Sequence, residues 1–362
     1  MPLTIAIQPD DYTNPATGRE DASSPRWAEC LRAAGHEVRW VDVFRPDILE
    51  QLRGCHGFMW RHAHLSDHRQ IARRLLPVIE RDLGLPVYPD QNTCWHYDDK
   101  IAQAYLFQAH GIPCPRTWVW FNRELAVQWA QNEARYPLVL KLASGAGSTN
   151  VKLITGAYDA VAEIDRLFTH GTIALSVEPW AEGRWQIKGW RNRLRAALRL
   201  ALKGAAPVAP PCTHYAWERQ KNYALFQEFL PGNAWDTRVT VIGNRAFGFR
   251  RFNREGDFRA SGSGRIDHDP SQIDPRFIGL TFAIASKLKM QSCAIDGLWR
   301  GEEPVVAEIT YTYVSYAVHD CPGHWELQGG PEDGALTWVA GHMWPEEAQV
   351  QDFLVRLQRR WA

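Results

Sequence analysis

The chain has 362 residues, 45% of them hydrophobic and 23% charged, with 41 Lys and Arg against 41 Asp and Glu. This is the composition of a folded protein with room for more than one core, and it excludes a disordered or collagen-like chain. Zero net charge removes any global case for nucleic acid as a partner, and no apolar run nears the roughly 18 residues of a membrane span, so a cytoplasmic protein is expected.

Seven cysteines (Cys30, Cys55, Cys94, Cys114, Cys212, Cys293, Cys321) stand singly, without paired spacing, and no disulfide is expected. The start, MPLTIAIQPDD, lacks the basic region and long apolar stretch of a secretion signal. The first ninety residues then alternate. LTIAIQ, EVRWVDV and GFMWR have the branched and aromatic character of strands, while residues 24–34, 47–53 and 68–83 read as helices, the last with Ile71, Leu75, Ile79 and Leu83 at helical spacing. Strands separated by helices predict a small parallel sheet. The histidines of RHAHLSDH (His62, His64, His68) read as a polar loop, not a metal site. A domain junction is expected near residues 88–92, before a helix over 98–110 that Gly111 and Pro113 stop.

PLVLKLASGAGSTNVKLI is a strand ending at Lys141, a glycine turn and a second strand. A Walker-type loop needs GxxxxGK[ST] opening a helix and a dinucleotide fold needs GxGxxG doing the same; neither is present. What remains is a hairpin, either a plain turn or one whose amides and hydroxyls fold over phosphates beside the Lys141 charge. Residues 184–203, RWQIKGWRNRLRAALRLALK, carry seven basic residues and no acid, with Ile187, Trp190, Leu194 and Leu198 at helical spacing. They read as a basic amphipathic helix, either packed on its own domain or facing anionic lipid or an acidic polymer. The seventeen tryptophans would suit a carbohydrate-facing surface and equally a core.

In FRRFNREGDFRASGSG, alternation sends Arg250 and Arg251 to opposite faces. CAIDGL and VVAEIT are apolar strands each interrupted by one acid, Asp296 and Glu308. A carboxylate buried there needs a cation or hydrogen bonds; the alternative is that both point to solvent. HDCPGHWE, with His319, Cys321, His324 and Glu326, matches no zinc spacing and reads as a turn at Pro322 and Gly323.

Taken in order, DDKIAQAYLFQAHGIPCPRTW, LVLKLASGAGSTN, FQEFL, WDTRV, FRRFNREGDFRASGSG and the acidic strand pair resemble the ATP-grasp superfamily over roughly residues 98–316. The resemblance implies a three-domain α/β architecture: an N-terminal parallel α/β domain (1–92), a small α+β lid (93–230) with a basic helical insertion near 184–221, and a C-terminal α+β domain (231–362). It implies that Lys100 and Lys141 contact ATP, that residues 144–150, with Ser144, Gly145, Gly147, Ser148 and Thr149, cover its phosphates, and that the hinge Gln227, Glu228, Phe229 and Leu230 reads adenine through its backbone. Asp236 would face the nucleotide, Arg238 would be structural, and Arg251 and Arg259 would face the transferring phosphate. Asp296 and Glu308 would hold magnesium. Thr310 stands where the family usually has asparagine, and a hydroxyl is the weaker ligand.

The implied activity is a carboxylate–amine ligase working through an acyl phosphate, on small-molecule or glycan-linked substrates such as amino acids or sugar acids. Such chemistry needs no protein nucleophile, and no nucleophile elbow is found. The alternatives are an ATP-grasp kinase acting on a hydroxyl and a catalytically silent nucleotide-binding module. A homodimer is compatible with the resemblance.

Overall fold

A computed structural model describes residues 2–10, 21–64, 66–145, 150–173, 219–330 and 334–361. Gly147, Ser148, Thr149 and the basic stretch 184–203 lie outside the described residues. The first unit is the expected parallel sheet. Its strands β1 (Thr4–Ile7), β2 (Glu37–Trp40), β3 (Gly57–Met59) and β4 (Val87–Tyr88) lie in the order β2-β1-β3-β4. Strand alternation divides its side chains between two cores. Ala6, Phe58, Leu76 and Ile79 fill one; Ile5, Ile7, Met59, Trp27 and Leu31 fill the other. The helix expected over 68–83 is Ser66–Pro77 followed by a π-helical turn, Val78–Asp82.

The second of these cores is closed by the last helix, Pro345–Trp361, through Val350, Phe353 and Leu357. Chain order assigns this helix to 231–362, but its apolar face lies against the first sheet. At its start the buried Glu346 accepts hydrogen bonds from Ser23 Oγ (3.0 Å) and Ser315 Oγ (2.5 Å), tying the first and last parts of the fold together.

The second unit is antiparallel. Its strands β5 (Thr117–Trp120), β6 (Leu138–Lys141), β7 (Val151–Ile154) and β10 (Ala224–Glu228) run in the order β5-β10-β6-β7, while β8 (Thr172–Ile173) pairs with β9 (Arg219–Gln220). Helices Arg123–Asn132 and Ala157–Thr169 cover one face through Trp129, Ile164 and Leu167. Trp118 and Trp120 stack on Trp129 at 5.2 and 5.5 Å, so these tryptophans serve the core.

The third unit is a seven-stranded antiparallel sheet. It comprises β11 (Trp235–Ile242), β12 (Arg245–Phe252), β13 (Ile266–Asp267), β14 (Ser292–Arg300), β15 (Glu303–Thr310), β16 (Gly323–Gln328) and β17 (Ala335–Ala340). The order is β15-β14-β11-β12-β16-β17, with β13 on β12. One face packs under the helix Pro275–Lys287, whose Phe277, Ile278 and Phe282 meet Val239, Val241 and Ile295. That helix begins as its sequence dictates, with Asp274 capping the Arg276 N–H and proline in the first turn. Among the described residues no helix is long and apolar enough to cross a membrane.

Between β14 and β15 the register slips by one residue after Asp296, so that Asp296 opposes Glu308 and Gly297 opposes Val306. Gly297 permits this because a Cβ there would sit 2.4 Å from the Phe277 ring. Gly297→Ala should therefore destabilise the fold by about 1–3 kcal/mol through overpacking. Urea denaturation checks this, and Gly297→Ala combined with Phe277→Leu should recover part of the loss.

Candidate active site

The other face of the third sheet changes character along its strands. Ile242, Phe247, Phe249 and Ala294 make it apolar at one end. At the other end the register sets Asp236 opposite Arg251, Arg238 opposite Asp296, and Asp296 opposite Glu308. Directly paired residues share a face, so two arginines and two aspartates interleave over β12, β11 and β14, and Glu308 adds a third acid beside Asp296 on β15. Arg251 forks onto Asp236 at 2.7 and 2.6 Å and reaches Asp296 at 2.7 Å. Arg238 holds the other Asp296 oxygen at 2.7 Å through Nε and 2.6 Å through Nη2. Burial raises the Asp296 pKa, but the two guanidiniums outweigh it and push the carboxyl down to about 2.

Arg250 takes the opposite face, as alternation requires: it pairs with Asp267 and lies 4.9 Å over the Trp235 ring. Arg259 forks onto Asp257 at 2.6 Å in the loop after β12. Of the two arginines expected at the phosphate, Arg251 is thus in the acid cluster, and Arg259 is held by a local carboxylate.

Two lysines approach the same acids from elsewhere in the fold. Lys100 opens the helix Lys100–His110, capped by Asp99, and its Nζ lies 3.1 Å from Glu308 Oε1 and 3.1 Å from the Gly145 carbonyl. Lys141 ends β6. Burial lowers its pKa to about 8, with Glu308 pulling it up and Lys100 pushing it further down. Arg69 pairs with the buried Asp98 beside this group at 3.5 Å. Among the described residues, the cations Arg69, Lys100, Lys141, Arg238 and Arg251 and the acids Asp98, Asp236, Asp296 and Glu308 thus gather in one cluster.

The described shoulder of the glycine loop is fixed by its neighbours. Ser144 Oγ accepts from Gln220 Nε2 at 3.2 Å, Asn150 Nδ2 donates to the Ser144 carbonyl at 3.2 Å, and Gly145, at φ +121°, donates its N–H to Asp98 at 2.9 Å. At the hinge, Gln227 Nε2 donates to Thr117 Oγ1 at 3.1 Å, and the Phe229 ring lies edge-on to Phe258. The Glu228 N–H is taken by the Arg116 carbonyl at 2.8 Å, and the Glu228 carboxylate accepts from the Arg116 N–H and faces Arg300. Leu230 follows β10, its carbonyl accepting from Asn233 Nδ2.

For magnesium, the donor set fits in kind. Asp296 and Glu308 are hard oxygen donors in register, and magnesium takes one or two carboxylates with the rest of its shell from phosphate and water. Among the described residues no group of three or more His, Cys, Asp or Glu could hold a metal alone. Thr310 contributes less: its hydroxyl donates to the Thr312 carbonyl at 3.0 Å, accepts the Thr312 N–H at 3.2 Å and lies 3.3 Å from the Thr312 hydroxyl. His62 is buried among the rings of Trp60, Tyr97 and Tyr311, and His64 meets the Tyr97 hydroxyl, so these members of the trio belong to a packed loop.

Sequence reasoning missed Asp98 and Arg69. Its signal was there: of two consecutive acids before Lys100, only one can cap the helix. The helix starts at Lys100, two residues later than expected, because Asp99 is the cap and Asp98 turns away at φ +50°.

No family model matches the chain. It is 32% identical over 63 residues to the alpha-aminoadipate–LysW ligase LysX of Saccharolobus solfataricus, a match spanning 17% of this chain and 22% of that relative. Among solved structures, D-alanine–D-alanine ligase from Bacillus anthracis superposes with a TM-score of 0.52 at 10% identity, covering 99% of this chain and 98% of that one. An ADP complex of PurK, an N5-carboxyaminoimidazole ribonucleotide synthetase, gives 0.51 at 12% identity over 86% and 71%. The ligase PsnB, bound to a minimal precursor, gives 0.50 at 18% over 86% and 92%. The chain has the ATP-grasp fold.

Arg251 is the hub of the charged face. Arg251→Met should cost about 3–5 kcal/mol by leaving Asp236 and Asp296 short of a counter-charge. Adding Asp236→Asn should recover part of that in the same denaturation experiment.

Proposed function

We propose that the chain is an ATP-dependent ligase that activates a carboxylate as an acyl phosphate for attack by an amine. The observation that carries this reading is the convergence of Lys100 and Lys141, from two different elements, on the facing acids Asp296 and Glu308. Fixed cations gathered around two hard oxygen donors match a magnesium triphosphate better than any apolar or neutral ligand. The ligase names among the fold relatives support the same direction, as does the short match to LysX.

In this reading Lys141 and Lys100 neutralise phosphate oxygens, and the Ser144–Gly145 shoulder leads into the loop over them. Magnesium held by Asp296 and Glu308 would supply further charge neutralisation. The substrate carboxylate oxygen bonds to the γ-phosphorus as the bond to ADP breaks. The amine nitrogen then bonds to the acyl carbon, inorganic phosphate leaves, and the amine gives up a proton. Arg251, forked onto Asp236 and reaching Asp296, adds fixed positive charge beside the acids where negative charge develops, and water is excluded as the lid closes. Domain limits at 1–92, 93–230 and 231–362 belong to this proposal, with the last helix serving the N-terminal unit. A silent nucleotide-binding module is the second reading, favoured by the Thr310 hydroxyl turning back into its own chain.

The decisive assay is ADP release across amino acids, sugar acids and amines. Release that requires both a carboxylate and an amine, with hydroxylamine trapping a hydroxamate, is the expected result. A phosphorylated hydroxyl product without free phosphate would indicate a kinase, and magnesium-dependent nucleotide binding without turnover a silent module. Glu308→Gln should lower turnover by about 100-fold or more.

Lys141 adds a pH signature. Its pKa of about 8 in the free protein rises when phosphate binds, so binding takes up a proton and nucleotide affinity falls as pH rises through 8. Titration calorimetry at pH 7 and 9, in buffers of different ionisation enthalpy, should detect that uptake, and Lys141→Arg should abolish it.

A further inference from the structure

Asp98 caps no helix and holds no metal, yet it is one of the most enclosed acids near the site, with 6% of its surface exposed. It is a non-glycine residue at φ +50°, a conformation that persists only where surrounding contacts over-determine it. Those contacts are specific. Oδ1 accepts the Gly145 N–H at 2.9 Å, and Oδ2 lies 3.5 Å from Arg69 Nη1, which also donates to the Asp98 carbonyl at 3.4 Å. Arg69 is itself buried, on the helix Ser66–Pro77 of the first unit, and its Nε donates to the His64 carbonyl at 3.2 Å.

Two residues on, Lys100 completes the grip. Its N–H donates to the Ala143 carbonyl at 2.8 Å and its Nζ to the Gly145 carbonyl at 3.1 Å. Residues 98 and 100 therefore bind the N–H and the C=O of Gly145, which fixes the peptide planes on both sides of it. Gly145 is at φ +121°, where glycine has wide freedom, so an external hold is what sets its direction. The loop beyond leaves from that point.

We propose that Asp98 is a positioning residue: a strut between Arg69 and the Gly145 amide through which the first unit orients the Gly145 peptide beside Lys100 for a polyphosphate. The proposal rests on the nucleotide reading above for its ligand, but not for the strut itself. The strut acts beside Lys100, proposed above as a phosphate contact, and leaves the expected adenine hinge on β10 untouched. A charged acceptor is required, because an amide in its place keeps one oxygen for Gly145 and loses the ion pair with Arg69.

The test uses the full chain with Asp98→Gly and Asp98→Asn, both of which tolerate positive φ, so that backbone strain is not the variable. Hydrogen exchange by mass spectrometry on the nucleotide-free protein should show the peptide containing Gly145 exchanging at least about tenfold faster in Asp98→Gly, with Asp98→Asn intermediate and peptides from the helix Pro275–Lys287 unchanged. Calorimetry should show the affinity for a non-hydrolysable magnesium–ATP analogue falling about tenfold while that for adenosine stays within about twofold. Unchanged exchange at Gly145 would overturn the strut whatever nucleotide does. Equal losses for the ATP analogue and adenosine would reduce Asp98 to a purely structural part and overturn the positioning role. If the unaltered chain binds no nucleotide, the ligase reading fails, and the exchange experiment still decides the strut.

Discussion

A buried carboxylate stays ionised only if cations or hydrogen-bond donors compensate it, and Asp296 has two guanidiniums, both from strands on one side of β14. Arg238 faces it from β11, and Arg251 reaches across from β12 at 2.7 Å. Everything on the charged face follows from that register. A slip of one residue between β11 and β14 would bring Ile295 to the charged face and drive Asp296 into the apolar core under the helix Pro275–Lys287. The bulge after Asp296 serves the same end, because it brings Glu308 directly opposite before the pairing resumes one residue out of step.

The charged face is completed by pieces from each of the other two units. β6 brings Lys141, the helix after the first sheet brings Lys100, and Arg69 reaches in from the first unit itself. These cations are long side chains in largely buried positions, where their charge is weakly screened. Their mutual influence is visible in Lys141, which burial and Lys100 push down to about 8 although Glu308 pulls the other way. A group poised in that way responds strongly to a multiply charged anion.

Much of this was legible from short-range rules. Period-two alternation separated Arg251 from Arg250, the lone acids in CAIDGL and VVAEIT marked a paired site, and strand–helix alternation foretold the first sheet. What was not legible depends on how side chains turn within a loop or on contacts between residues distant in the chain. Nothing near Arg259 in sequence reveals that Asp257 engages it, because both residues suit a solvated loop equally well. Thr310 reads as a substitute ligand until its hydroxyl is seen to close a turn with Thr312. Asp98 needed the knowledge that Gly145 comes back beside it, and the return of Pro345–Trp361 to the first sheet had no local signature beyond an amphipathic helix.

That return bears on how the molecule is built. The sheet synthesised first has one of its two faces covered only in part, by Trp27 and Leu31, until the helix carrying Phe353 has been translated, so Ile5, Ile7 and Met59 are incompletely packed during elongation. Protection of that flank until the later helix arrives is the physiological corollary of closing an early sheet with a late helix.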